Sequence, residues 1–254
     1  MILKIKHFVV FTTLILFTSC KTEPNTLSEV KGKQIKIDSS LVTVDSIEAY
    51  VKPYRKRINE ILDSTLAYAP KTLTKEEGIY NTSAGNLMAD IVFQAANPIF
   101  KSRTSNEIDF VLLNHGGIRS IISKGNVTAR TAYEVMPFEN SIVVVELSGK
   151  SVLELLNFLK NSGRAHPISG MQLILSTNNE IASIKIQGKS LNTEQTYYVA
   201  TNNYLVTGGD DMVFFKDAKN PINTDYLIRN AMIDYFKKVD TVFAEIDNRF
   251  YKMN

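Results

Sequence analysis

The sequence predicts a mixed α/β domain, and three observations carry that prediction. Short apolar runs rich in β-branched residues, such as Ser141 to Leu147 and Tyr197 to Asn202, have the length and make-up of buried strands. Stretches such as Lys150 to Leu159, with Val152, Leu155, Leu156 and Leu159 at three- and four-residue steps, carry the apolar stripe of a helix lying on a core. The two kinds of segment interleave without strict alternation, which is the pattern of a mixed domain. The 254 residues are 44% hydrophobic and 22% charged, ordinary for a globular chain of one large or two small domains. No internal repeat or low-complexity block interrupts them.

In chain order, Met1 to Lys6 carries two lysines, and His7 to Phe17 is an apolar run too short for a comfortable membrane span. It ends in Leu16-Phe17-Thr18-Ser19-Cys20, which resembles a bacterial lipobox with Cys20 as the lipidated residue. Phe17 departs from the usual leucine; a plain secretory signal or a buried thiol are the other readings. The expectation is a signal peptide over 1–19, a lipidated cysteine and polar tether over 20–43, a linker helix over 44–66 and a folded domain over 67–254. Cys20 is the single cysteine, so no internal disulfide is expected and the fold must stand on packing. The formal charge is +3, with Lys4 and Lys6 in the leader, so neither nucleic acid nor an electrostatic membrane contact is indicated.

Gln34 to Asp38 alternates as a short strand would. From Asp45 to Leu62, Ile47, Val51, Tyr54, Ile58, Ile61 and Leu62 form one helical face, and Pro53 places the regular start near Lys52. Asn81-Thr82-Ser83 caps a helix expected to end at Ala96, before Asn97-Pro98. Ile108 to Leu113 reads as a buried strand, Thr128 as the cap of a short helix through Tyr133. Gly170 to Ser176 and Ile181 to Gln187 read as further strands, and Thr224 as the cap of a helix to Lys238.

Three strand–loop junctions hold the residues that point to chemistry. Asn114-His115-Gly116-Gly117-Ile118-Arg119 follows the apolar run ending at Leu113. Met136-Pro137-Phe138-Glu139-Asn140 precedes the run Ile142 to Val145. Asn202-Asn203-Tyr204-Leu205-Val206-Thr207-Gly208-Gly209-Asp210-Asp211 follows Tyr197 to Thr201. Paired glycines permit positive φ and close backbone approach to a ligand. An aspartate beyond such a turn can accept two hydroxyl hydrogen bonds, as a ribose diol offers. Arg119 is a forked donor suited to phosphate or carboxylate. Each has a plain structural alternative: a Gly- and Asp-rich surface turn, a core phenylalanine, an arginine bridging loops.

In this order, followed by Ser148-Gly149-Lys150 after the second motif, the three motifs resemble the C-terminal, substrate-binding domain of the 5'-nucleotidase family, from about Val44 onward. The resemblance implies a layered α/β domain with mixed sheets. It implies that Phe138 and Tyr204 clamp a base, Asn140 bonds the base edge, Asp210 the ribose hydroxyls and Arg119 the phosphate side, with Gly163 near the base. Relatives commonly carry phenylalanine at both clamp positions. Two family features are missing. Leu73 to Gly78 holds one lysine and two acids where relatives place phosphate-holding arginines. No Asp-x-His, Gly-Asn-His or Gly-His-x-His run of a metallophosphatase domain occurs, and after the leader the only histidines are His115 and His166. The resemblance therefore implies a nucleotide or nucleoside ligand, and a separate metallophosphatase chain as partner. No cofactor is expected in this chain, with divalent metals in that partner. The expected location is the bacterial cell envelope, periplasmic or at the outer-membrane surface, anchored by lipid. The competing function is a surface lipoprotein that captures nucleosides or nucleotides without catalysis, and a third is a degenerate domain kept for packing or adhesion.

Overall fold

The computed structural model describes residues 27–254 together with Lys4, Val9 and Val10; the leader junction at Cys20 lies outside the described residues. The chain divides into two units, residues 1–50 and residues 51–254. In the first, residues 27–44 form no strand and are exposed; Gln34 to Asp38 finds no pairing partner among the described residues, so its alternation produces no sheet.

Helix α1 (Asp45–Leu62) starts earlier than Pro53 suggested, and that proline sits inside it. Proline removes one i→i−4 bond but does not forbid helix on either side when the flanking turns are good helix formers. None of the helix's residues is buried.

The second unit is built on a five-stranded sheet. Its order is β10 (Lys219–Leu227), β4 (Ser141–Ser148), β9 (Thr196–Asn202), β2 (Phe110–Leu112) and β5 (Ile168–Ser169). β2 and β9 run parallel, while β4 is antiparallel to β9, with Ile142 opposite Asn202 and Ser148 opposite Thr196. Strand alternation sends neighbouring side chains to opposite faces. Val111, Ile142, Val144 and Ala200 face one core, shared with α2 (Ser83–Thr104), α3 (Ala129–Val135) and α6 (Ile228–Lys238). Phe110, Leu112, Val143, Val145, Leu147 and Val199 face the other. There they meet α4 (Gly149–Asn161) and a four-stranded sheet in the order β11 (Phe250–Lys252), β6 (Met171–Leu175), β7 (Ile181–Ile186), β8 (Lys189–Ser190). A small pair, β1 (Thr65–Ala69) with β3 (Gly125–Thr128), completes the mixed α/β fold.

Two boundaries differ from expectation for physical reasons. Helix α2 is capped by Thr82, whose side chain accepts from the Gly85 N–H, and it continues through Pro98 to Thr104. Ala96 and Phe100 are buried, so packing holds the helix past the proline. The Asn97 side chain accepts the Ile108 N–H instead of ending the helix. Thr224 caps nothing: it lies in β10, and its hydroxyl donates to the Ile142 carbonyl. The helix after it starts at Ile228 without a side-chain cap; the Ile228 N–H donates to the Asn140 carbonyl.

Candidate nucleotide site

Sheet topology brings the three motifs together. Because β2 and β9 are parallel, their carboxyl ends share an edge, and antiparallel β4 begins at that same edge. The loop after β2, the loop before β4 and the segment after β9 therefore converge there. They enclose a cavity of about 410 Å³ lined by Asn114, Gly116, Gly117, Arg119, Phe138, Asn140, Tyr204 and Asp210.

Each lining group is placed by its local structure. The Asn202 side chain accepts the Leu205 N–H and caps the one-turn helix α5 (Asn203–Val206), setting Tyr204 at its start. Gly208 follows in the left-handed region at φ +88, and an added Cβ would meet Lys216 Cε at 2.5 Å. At Gly209 an added Cβ would lie 2.5 Å from the Tyr204 ring, so the ring rests directly on this glycine. Asp210 and Asp211 then adopt φ +52 and +61, a conformation L-residues take at a cost of about 1–2 kcal/mol each. The Tyr204 hydroxyl donates to Asp210 Oδ1 at 2.9 Å, and Asn114 Nδ2 donates to Asp210 Oδ2 at 2.8 Å. That carboxylate holds the Tyr204 phenol above its ordinary pKa, because the hydroxyl hydrogen bond would be lost on ionisation.

Phe138 is 41% and Tyr204 45% exposed, so both rings leave a face open. Arg119 donates to the Gly116 carbonyl at 3.3 Å, and its guanidinium carbon lies 6.0 Å from the Phe138 ring centre. The clamp loop is held from behind by Arg229 of α6, a residue that sequence reasoning missed. Its buried guanidinium donates to the carbonyls of Pro137 and Phe138, pairs with Glu139 at 2.9 Å and lies 4.2 Å from the Tyr133 ring. Asn114 was also missed as a site residue, although its motif was evident.

Gly163 does not line this cavity. It lies at φ +64 with open space around it, and its neighbours Ser162 and Arg164 line a second cavity of about 350 Å³. The two cavities share Gly116 and Asp210. His166 lies there too, 5% exposed, its Nδ1 accepting the His115 N–H, and His115 Nδ1 meets the Ala165 carbonyl at 3.2 Å. Burial, with His115 nearby, lowers the His166 pKa to about 4.

A two-metal centre does not fit this donor set. Such a centre needs several histidines and carboxylates around two ions, and among the described residues no three His, Cys, Asp or Glu side chains converge.

A family model for the 5'-nucleotidase C-terminal domain matches residues 65–217, the segment that contains all three motif loops. The chain belongs to the 5'-nucleotidase family through this domain. Among curated members, a protein named trifunctional nucleotide phosphoesterase from Bacillus subtilis (strain 168) is 31% identical over 183 residues, 66% of this chain and 12% of its own length. A Listeria monocytogenes protein named as a cell wall protein is 29% identical over 195 residues, covering 68% of this chain and 24% of its own length. Among solved structures, a 5'-nucleotidase precursor from Thermus thermophilus superposes with a TM-score of 0.66 at 27% identity, over 83% of this chain and 43% of that one. The chain thus spans less than half the length of these relatives. Structural neighbours and family model together establish the mixed α/β fold of the 5'-nucleotidase C-terminal domain.

Proposed function

We propose that this chain grips the base and ribose of a nucleotide or nucleoside and presents it for phosphoester hydrolysis by a separate metallophosphatase chain. The observation that carries the reading is the cavity in which two half-exposed rings, Phe138 and Tyr204, stand with Asn140, Asp210 and Arg119. Rings with an open face stack on any base; the asparagine amide can bond a base edge in both senses. The Asp210 carboxylate has acceptor capacity beyond its two present bonds, which suits a ribose diol. Binding energy gathered on the base and sugar would hold the phosphoester in place for attack. Metals in the partner would supply the activated water.

The competing reading, nucleoside or nucleotide capture without catalysis, draws support from Arg119 being the single cationic side chain lining the cavity among the described residues. Calorimetric titration with adenosine, AMP and ADP tests the binding reading. Wild type is expected to bind, and the Phe138→Ala/Tyr204→Ala double variant to lose that binding. No binding of any of the three by wild type would overturn it. Adding a metallophosphatase chain and measuring phosphate release then separates the two readings. A metal-loaded preparation of this chain alone that hydrolyses nucleotides well would sink the division of labour.

Within the same proposal the chain is anchored in the cell envelope through lipid on Cys20. Among the described residues no helix is long and apolar enough to cross a membrane. Palmitate labelling that persists in a Cys20→Ser variant would count against the anchor.

A further inference from the structure

Asp210 is the meeting point of three chain segments. Tyr204, at the start of α5, donates its hydroxyl to one carboxylate oxygen at 2.9 Å and accepts the Asp210 N–H at 3.3 Å. Asn114, from the loop after β2, donates to the other oxygen at 2.8 Å and is 6% exposed, so it has little freedom to move. The backbone at Asp210 is itself in the left-handed region, and the Tyr204 ring is seated on Gly209. An ionised carboxylate has about four acceptor positions on its two oxygens. One donor on each oxygen fixes the rotation of the group and leaves one position per oxygen, on a residue that borders the cavity. That is the arrangement a vicinal diol would find already set.

We propose that the Tyr204 hydroxyl is a specificity-determining contact, which holds Asp210 in the orientation that favours a ribose 2',3'-diol over a deoxyribose. The inference rests on the reading of this cavity as a nucleoside site. Tyr204 does two jobs in it: its ring is a stacking face, and its hydroxyl sets the sugar-reading group. Preorganisation of this kind raises affinity by removing the ordering cost at the moment of binding. It acts only on ligands that use Asp210. Sugar preference and stacking are thereby coupled through one side chain.

The test is the ratio of two dissociation constants, for adenosine and 2'-deoxyadenosine, measured by calorimetry on the full chain. Hydrogen bonds to a charged group favour adenosine by about tenfold or more in wild type. Tyr204→Phe, which keeps the ring, is expected to bring that ratio down several-fold, most of the way to the value of Asp210→Asn. A Tyr204→Phe ratio equal to wild type would overturn the inference while leaving the cavity's ligand class intact. So would a rise in adenosine affinity, which would mean that the hydroxyl competes with the diol. Wild type that binds neither nucleoside would sink the reading of the cavity and this inference with it. In the ligand-free chain, the Tyr204 ring carbons followed by NMR across alkaline pH report the bond directly. Their titration should move to lower pH in Asp210→Asn, and an unmoved midpoint would count against the contact.

Discussion

Asp210 concentrates the cost and the use of the site in one residue: its backbone is left-handed, its carboxylate is fixed by two donors, and it borders both cavities. The glycine before it is needed for space, since a methyl there would press on the end of the Tyr204 ring. Gly209→Ala is therefore expected to tilt the ring with a modest change in stability, about 1 kcal/mol, and to weaken nucleoside binding several-fold in the same calorimetric assay. His166 makes a different prediction. Its pKa is about 4 in the folded chain against 6.5 for the free side chain. Between those values the unfolded chain binds the extra proton and the folded chain does not, so stability is lost as pH falls from about 6.5 toward 4. At about 1.4 kcal/mol per pKa unit the loss approaches roughly 3 kcal/mol. Urea unfolding at stepped pH should show this slope in wild type and a shallower one in His166→Gln; equal slopes would refute it.

Among the elements, those with a strong local pattern were legible in the sequence and those made by pairing were not. β4 and β9 are apolar runs rich in β-branched residues and α4 carries a helical apolar stripe, and the structure has them within a residue or two of expectation. β10 was hidden because Lys219-Asn220-Pro221 and Asp225 look like turn sequence. Asn220 and Asp225 do turn left-handed, and the strand exists by pairing with β4 through an irregular register. The three site loops were legible because their residue types are unusual at strand ends; that they meet depends on β2 and β9 being parallel, which no local pattern encodes. For the same reason Arg229 was invisible: its partners lie about ninety positions away in Pro137, Phe138 and Glu139. Arg229→Ala removes its part-buried charge-assisted bonds to these carbonyls and to Glu139, together with the packing of a buried side chain, a cost of about 1–3 kcal/mol. It should lower the denaturation midpoint and weaken base binding together, whereas Arg229→Lys should recover more stability than affinity, since one ammonium cannot span the loop. The cap at Thr82 gives a simpler test. Thr82→Ala is expected to cost about 1 kcal/mol in denaturant unfolding.

At the scale of the molecule, the C-terminal segment is tied into the second unit by Arg249. It makes a two-pronged pair with Asp90 of α2 at 2.9 and 3.0 Å, holds Asp247, and donates to the Ile168 carbonyl of β5 at 2.7 Å. Phe250, the next residue, is 2% exposed. Arg249→Ala removes charge-assisted bonds from a side chain only 15% exposed, for an expected loss of roughly 2–3 kcal/mol. Thermal unfolding should detect it, and an unchanged midpoint would mean the segment is held by Phe250 alone. The parallel pairing of β2 with β9 has one more consequence, for anyone building a sensor from this chain. The start of β9 and the end of β4 lie at the far edge of the sheet from the cavity, where Thr193 and Glu194 are exposed in the loop between β8 and β9. A dye at Glu194 would report unfolding while staying silent to ligand, and a second dye on exposed Thr207, three residues after Tyr204, would respond to both. The signal ratio between those positions would therefore read occupancy on a scale calibrated by the protein's own integrity.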